Sequence, residues 1–238
     1  MTAPDPAAAP SPPRVQRLST GAELAWVLVP TVGFLTVVSF LRLWQQRGEG
    51  QLVVSDWRLW GVVVQVLVLT LPIAAFLRRR GWRWADMSEP VVPRDVVRGA
   101  GVWLYTALIY YGFRLGLWLI WPRASTEAFT MQVSGVFSWT PMLVAAILDP
   151  IAEELLWLGY IVNALRHRGV LFAAIVSIGL RTMVHAYQGP LALVAILPIG
   201  VMFTRYYLRT RRLGPVIVAH IIQDMLAFVV LSLHRRGA

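Results

Sequence analysis

One stretch, Asp149-Pro150-Ile151-Ala152-Glu153-Glu154-Leu155-Leu156-Trp157-Leu158-Gly159-Tyr160, sets three carboxylates within six residues of an otherwise apolar region. No charge occurs from Ala128 to Leu148, and the apolar run after the acids continues to Leu165 before Arg166, His167 and Arg168. A carboxylate near mid-bilayer costs about 2.5–3.5 kcal/mol on insertion scales. Such groups need partners, a water-filled cavity or protonation. Three ionisable pairs recur at i, i+4 spacing: Asp149 with Glu153, Arg181 with His185, and His220 with Asp224. That spacing puts both members of a pair on one helix face. Glu154 is rotated about 100° from Glu153, so one glutamate can face a cavity while the other pairs with a neighbouring helix. Carboxylates and two histidines converging from three helices resemble a hydrolytic site. A Glu beside a His can take a proton from water, and a second His can donate to a developing oxyanion.

The elements that must position these groups follow from composition. The chain has 238 residues, 57% hydrophobic and 14% charged. It is too apolar for an ordinary soluble domain and fits an all-α bundle of about seven transmembrane helices, or eight segments. Residues 1–20 form an Ala- and Pro-rich tail expected to be disordered. Residues 21–137 hold the N-terminal helices and loops, and 138–234 the motif region of the same membrane domain. The predicted spans are Leu24–Leu41, Leu59–Leu77, Gly99–Trp121, Ser138–Leu165, Val170–His185, Pro190–Leu208 and Pro215–Leu233, with a kink expected at Pro198. Met87–Val97 reads as a polar connector with room for a short interfacial helix, and Pro122–Val136 as a loop or an added segment. Trp118 and Trp121 read as interfacial anchors. Hydropathy alone sets His185 and His220 roughly 15 Å apart in depth. A single site therefore requires a tilted, broken or deeper span.

All 22 basic residues are Arg, and the formal net charge is +10. The arginines sit mostly between apolar runs, which points to lipid headgroups and excludes a nucleic-acid face. With the N-terminus inside, fourteen arginines fall on the inner side and six on the outer. That asymmetry predicts an integral membrane protein with a cytoplasmic N-terminus, in a bacterial plasma membrane. The absence of Cys excludes disulfides, a thiol nucleophile and thiolate metal sites.

Glu153-Glu154, then Arg181-Thr182-Met183-Val184-His185, then His220-Ile221-Ile222-Gln223-Asp224 resemble, in order, the three motifs of the CAAX-protease and bacteriocin-processing family. These are intramembrane proteases related to the type II CAAX prenyl endopeptidases. The resemblance covers about residues 138–230, and His185-Ala186-Tyr187-Gln188-Gly189 and Leu213-Gly214-Pro215 are similar to its bacterial branch. It implies that Glu153 and His185 activate water, that His220 and Asp224 stabilise the oxyanion or orient its donor, and that Glu154 pairs structurally. Leu158 stands where the family often has Arg, and Arg181 where it often has Phe. Arg181 is therefore expected to supply the missing cation and pair with Glu154.

The expected activity is cleavage of a membrane-bound or membrane-proximal peptide or protein, with membrane lipids as surroundings and no cofactor. A divalent metal at the Glu/His cluster is the variant of that reading. Two other classes stay open: a non-catalytic scaffold or chaperone on the same fold, and a proton-coupled transporter, since intramembrane carboxylates and histidines also build proton relays. No internal repeat of the transporter kind is found in the sequence.

Overall fold

The computed structural model describes residues 20–46, 51–122, 132–134, 138–188 and 190–234. The expected tail, apart from Thr20, and most of Pro122–Val136 lie outside the described residues. The described chain is almost wholly helical, as its long apolar runs dictate. Backbone groups in hydrocarbon must be satisfied within their own segment.

The first rod is α1 (Thr20–Leu28) and α2 (Phe34–Gln46), joined by a π turn, Val29–Gly33, that contains Pro30. Proline has no N–H to give, and the Thr31 hydroxyl donates to the Val27 carbonyl within this turn. Two three-residue strands, β1 (Gln51–Val53) and β2 (Gln132–Ser134), pair in parallel with Gln51 opposite Gln132. Just beyond them start α3 (Asp56–Arg79) and, two helices later in the chain, α6 (Trp139–Glu154). The Asp56 carboxylate accepts the Ser138 hydroxyl at 2.9 Å, so α3 and α6 begin side by side and run the same way. Leu59 and Val63 of α3 pack there on Met142 and Ala145 of α6.

Between these two lie a single turn, α4 (Trp84–Met87), and the long α5 (Arg94–Ile120). The expected connector helix is thus one turn earlier than Met87–Val97, and α5 begins before Gly99. Helix α6 continues without a break through a π-helical stretch, Leu155–Val162, and a last turn, Asn163–Leu165. Then come α7 (Val170–Val184), a 3₁₀ turn (Ala186–Gln188), α8 (Pro190–Thr210) and α9 (Leu213–His234). Helix α8 runs on through Pro198.

Trp157, Leu158, Tyr160, Ile161 and Val162 of the π-helical stretch are all buried, and Val27, Phe203, Tyr207, Leu213 and Val216 close around them. The core is therefore built on the segment that follows the two glutamates. Helices α5 and α9 cross closely: a Cβ on Gly99 would lie 2.5 Å from Val218 Cβ. Only a residue without a side chain allows that approach.

Among the described residues, three helices are long and apolar enough to cross a membrane: Thr20–Gln45, Asp56–Arg79 and Leu213–Val230. The expected third and sixth spans exist as helices of 27 and 21 residues. The fifth does not reach: Val170–Val184 has 15 residues, or about 22 Å against a hydrocarbon thickness near 30 Å. Leu71, Leu104, Leu108, Ile120, Leu171 and Ile175 are exposed, an apolar outer surface suited to lipid. Trp118 and Trp121 are exposed at the end of α5, where anchors were expected.

A polar knot joins the start of α5 to the start of α9. Asp95, 2% exposed at the start of α5, accepts Arg212 Nε and Nη2 at 3.0 Å each, Arg98 Nη1 at 3.0 Å and the Val92 N–H at 3.1 Å. Burial pushes its carboxyl up, but the bonds from Arg212, Val92 and Arg98 outweigh burial and hold it below the usual carboxylate range. Arg211 has φ 58°, a left-handed backbone held by its guanidinium, which donates to Asn163 Oδ1, Tyr207 OH and the Asp86 carbonyl. These arginines read as topology determinants in the sequence. In the structure they also fix the turn that starts α9.

Candidate active site

Glu153 and Glu154 diverge as their helical offset requires. Glu154 is fully buried and forms an ion pair with Arg181, which comes from α7. The same oxygen, Oε1, lies 2.8 Å from His220 Nδ1 on α9. A carboxylate is acceptor-only when ionised, so Nδ1 carries the hydrogen and His220 Nε2 is left facing away from Glu154. One carboxylate thus fixes three helices at one level. Phe203 of α8 lies beneath the group, 5.8 Å from the Arg181 guanidinium and 5.8 Å from the His220 ring.

Glu153 turns the other way and lines a cavity of about 1030 Å³. Asp149, Trp157, His185, Tyr187, His220 and Asp224 line the same cavity. Trp157 Nε1 donates to Glu153 Oε2 at 3.3 Å, steadying the carboxylate from one helical turn further on. His185 caps α7, and its Nδ1 lies 2.7 Å from the Arg181 carbonyl. A carbonyl only accepts, so Nδ1 bears the hydrogen and Nε2 keeps its lone pair. The ring of Tyr187 stacks on His185 at 6.3 Å between centroids. His220 Nε2 and Asp224 Oδ1 are 3.7 Å apart, too far for a hydrogen bond but close enough for their charges to act on each other.

The structure therefore brings Asp149, Glu153, His185, His220 and Asp224 to one cavity, and sets Glu154 and Arg181 behind it as a buried pair. His185 and His220, expected at different depths, line the same cavity. Trp157, Tyr187 and Phe203 escaped the sequence reading. Trp157 had a usable signal, its i+4 offset from Glu153, whereas Phe203 is brought in only by packing.

Glu153, Glu154 and His220 each offer a ligand atom, all within 4.8 Å of one another. These are donor types that zinc accepts. The donor set suits a dication poorly, because the Arg181 guanidinium already neutralises Glu154 and His220 Nδ1 is held by the same carboxylate.

Together these features describe an all-helical membrane protein with a polar cavity set among apolar helices. Its residues 135–226 match the family model described as type II CAAX prenyl endopeptidase Rce1-like, which supports a likeness to the CAAX-protease and bacteriocin-processing family, a family of proteases. The match takes in all three motifs and leaves α1 to α5 outside it. No curated protein and no solved structure matches the chain.

Proposed function

We propose that the chain is an intramembrane endopeptidase that hydrolyses a membrane-bound or membrane-proximal peptide without a resident metal. The observation that carries this reading is the sharing of one cavity by Glu153, His185, His220 and Asp224. Water held between Glu153 and His185 Nε2 loses a proton to one of them as its oxygen bonds to the peptide carbonyl carbon. The carbonyl oxygen takes the negative charge and accepts from a protonated His220 Nε2, with Asp224 holding the imidazolium. The C–N bond then breaks, and the proton taken from water passes to the leaving amine. Water and one peptide bond give one carboxylate and one ammonium group, the second proton of the water passing to the amine as well. Asp149, one turn before Glu153, keeps the cavity wet.

The test is cleavage by the full-length protein in liposomes, with peptides offered from the membrane. Glu153→Gln and His185→Ala should abolish cleavage while the protein still folds, and a chelator should leave it unchanged. Cleavage that survives both substitutions would overturn the reading in favour of a scaffold or chaperone. Loss on chelation and return with zinc would assign the cluster to a metal. Proton-coupled solute uptake by the same liposomes would point to a transporter. A cytoplasmic N-terminus belongs to the same proposal and rests on the arginine asymmetry.

A further inference from the structure

The cavity extends well beyond the acidic cluster. Along α3 its wall is formed by Val62, Val66, Leu69, Ile73 and Leu77, a helical stripe that ends at Arg78. Sixteen residues separate Val62 from Arg78, or about 24 Å of helix. Facing it are Thr31, Leu35, Val38 and Arg42 of the first rod. Helix α3 packs on α6 and meets the first rod mainly at the π turn, while α2 packs on α7 and the turn Ala186–Gln188. The two stripes therefore bound a slot, most of a bilayer in length.

Both ends of the slot are cationic. Arg42 stands at one, and Arg78 with Arg83 at the other. Among the described residues these three form no ion pair. By contrast Arg80 is tied to Glu23, and Arg98 and Arg212 to Asp95. Between these ends, Gln65 and Thr70 form no side-chain hydrogen bond among the described residues. Amide and hydroxyl groups at this depth cost free energy unless a partner arrives. Because α3 and α6 start together at Asp56 and Ser138, Gln65 and Thr70 come level with Asp149 and Glu153 across the slot.

We propose that the slot binds a membrane-spanning apolar segment of the substrate that carries an acidic residue near each end. Opposite Glu153 the segment unwinds, and its freed peptide groups pair with Gln65 and Thr70. An anionic lipid fits less well: it has one headgroup for two cationic ends, and its acyl chain offers Gln65 nothing. The inference rests on the proteolytic reading of the same cavity and names its substrate class.

The test measures binding to the full-length protein in neutral-lipid nanodiscs. The probe is a labelled peptide of about 20 apolar residues flanked by Asp, against the same peptide flanked by Lys. The Asp peptide should bind about tenfold more tightly. The double variant Arg42→Glu, Arg78→Glu should reverse that order, which also shows that it folds. Gln65→Leu should weaken the Asp peptide several-fold and leave the order intact. Equal affinities for the two peptides, or displacement of the Asp peptide by phosphatidylglycerol added to the discs, would overturn the proposal. Cleavage is read in the same samples. Cleavage without flank preference would remove the slot proposal alone, and flank-selective binding with no cleavage would remove the proteolytic reading alone.

Discussion

Arg181 of α7 and Glu154 of α6 form a buried ion pair that His220 completes from the far side. Leu158, at the position where a family arginine is common, is itself buried among apolar residues. The cation has moved to another helix and still reaches the same carboxylate. Removing one partner of a buried pair leaves the other uncompensated, typically at a cost of about 3–5 kcal/mol. Arg181→Met and Glu154→Gln should each lower the thermal midpoint in detergent sharply, and the double variant should recover much of the loss. Strictly additive losses would show that the two residues act independently.

His185 and Glu153 line the same cavity, and their substitutions should act on rate and not on folding. Loss of a positioned base costs about 10²–10⁴-fold in rate. Glu153→Gln and His185→Ala should fall in that range at unchanged midpoint. Trp157→Phe removes the N–H that steadies Glu153 together with part of a buried ring, so it should lower the midpoint and lower kcat several-fold with little effect on KM. A KM change without a kcat change would place Trp157 in substrate binding instead.

Asp95 sets an acid limit on stability. Its folded carboxyl sits below the usual carboxylate value, so the folded state binds its proton less readily than the unfolded chain. The stabilisation is fully present above the unfolded value near pH 4 and is lost as pH falls through the lower folded value. The detergent midpoint should therefore drop below about pH 4 in the parent protein. Asp95→Asn should be less stable at neutral pH and flatter across this acid range. An unaltered pH profile in Asp95→Asn would refute the assignment.

At the α5–α9 crossing, Gly99→Ala would drive a methyl group against Val218 and the Pro215 carbonyl. Overpacking of this kind costs about 1–3 kcal/mol. Val218→Gly in the same chain should restore part of it, since it removes the facing Cβ while the carbonyl still crowds the site. If Gly99→Ala alone leaves the midpoint unchanged, the helices do not meet as described.

Much of the site was legible because helical offsets are local. The 100° between Glu153 and Glu154 predicts their opposite fates, and the two departures from the family pattern predict the Arg181–Glu154 pair. What escaped depends on contacts distant in the chain. Hydropathy marks α7 to within one residue at Val170–His185, but counting that run as a full span overlooks that its length falls short of the hydrocarbon thickness. Arg211 and Arg212 read as loop charge, although Asn163 and Asp95 wait for them on other helices. Gln65 passed as part of an uncharged run, and only the slot opposite Glu153 gives it meaning. The helical turn at Trp84–Met87 lies earlier than expected because the connector has no apolar period to locate it.

The helix bearing Glu153 and Glu154 changes its winding at Leu155, the residue immediately after them. Upstream, 3.6 residues complete a revolution; downstream the coil is looser, closing on the fifth residue and not the fourth. The acids and the Asn163 anchor are thus phased by an extra residue. Excising one amino acid between Leu155 and Val162 would take out that extra residue and let the stretch close as an ordinary helix with the acids still in phase, whereas one residue more that the winding did not absorb would swing them about 100° away from His220 while every other side chain kept its identity. Register, as much as composition, makes this membrane helix chemically competent.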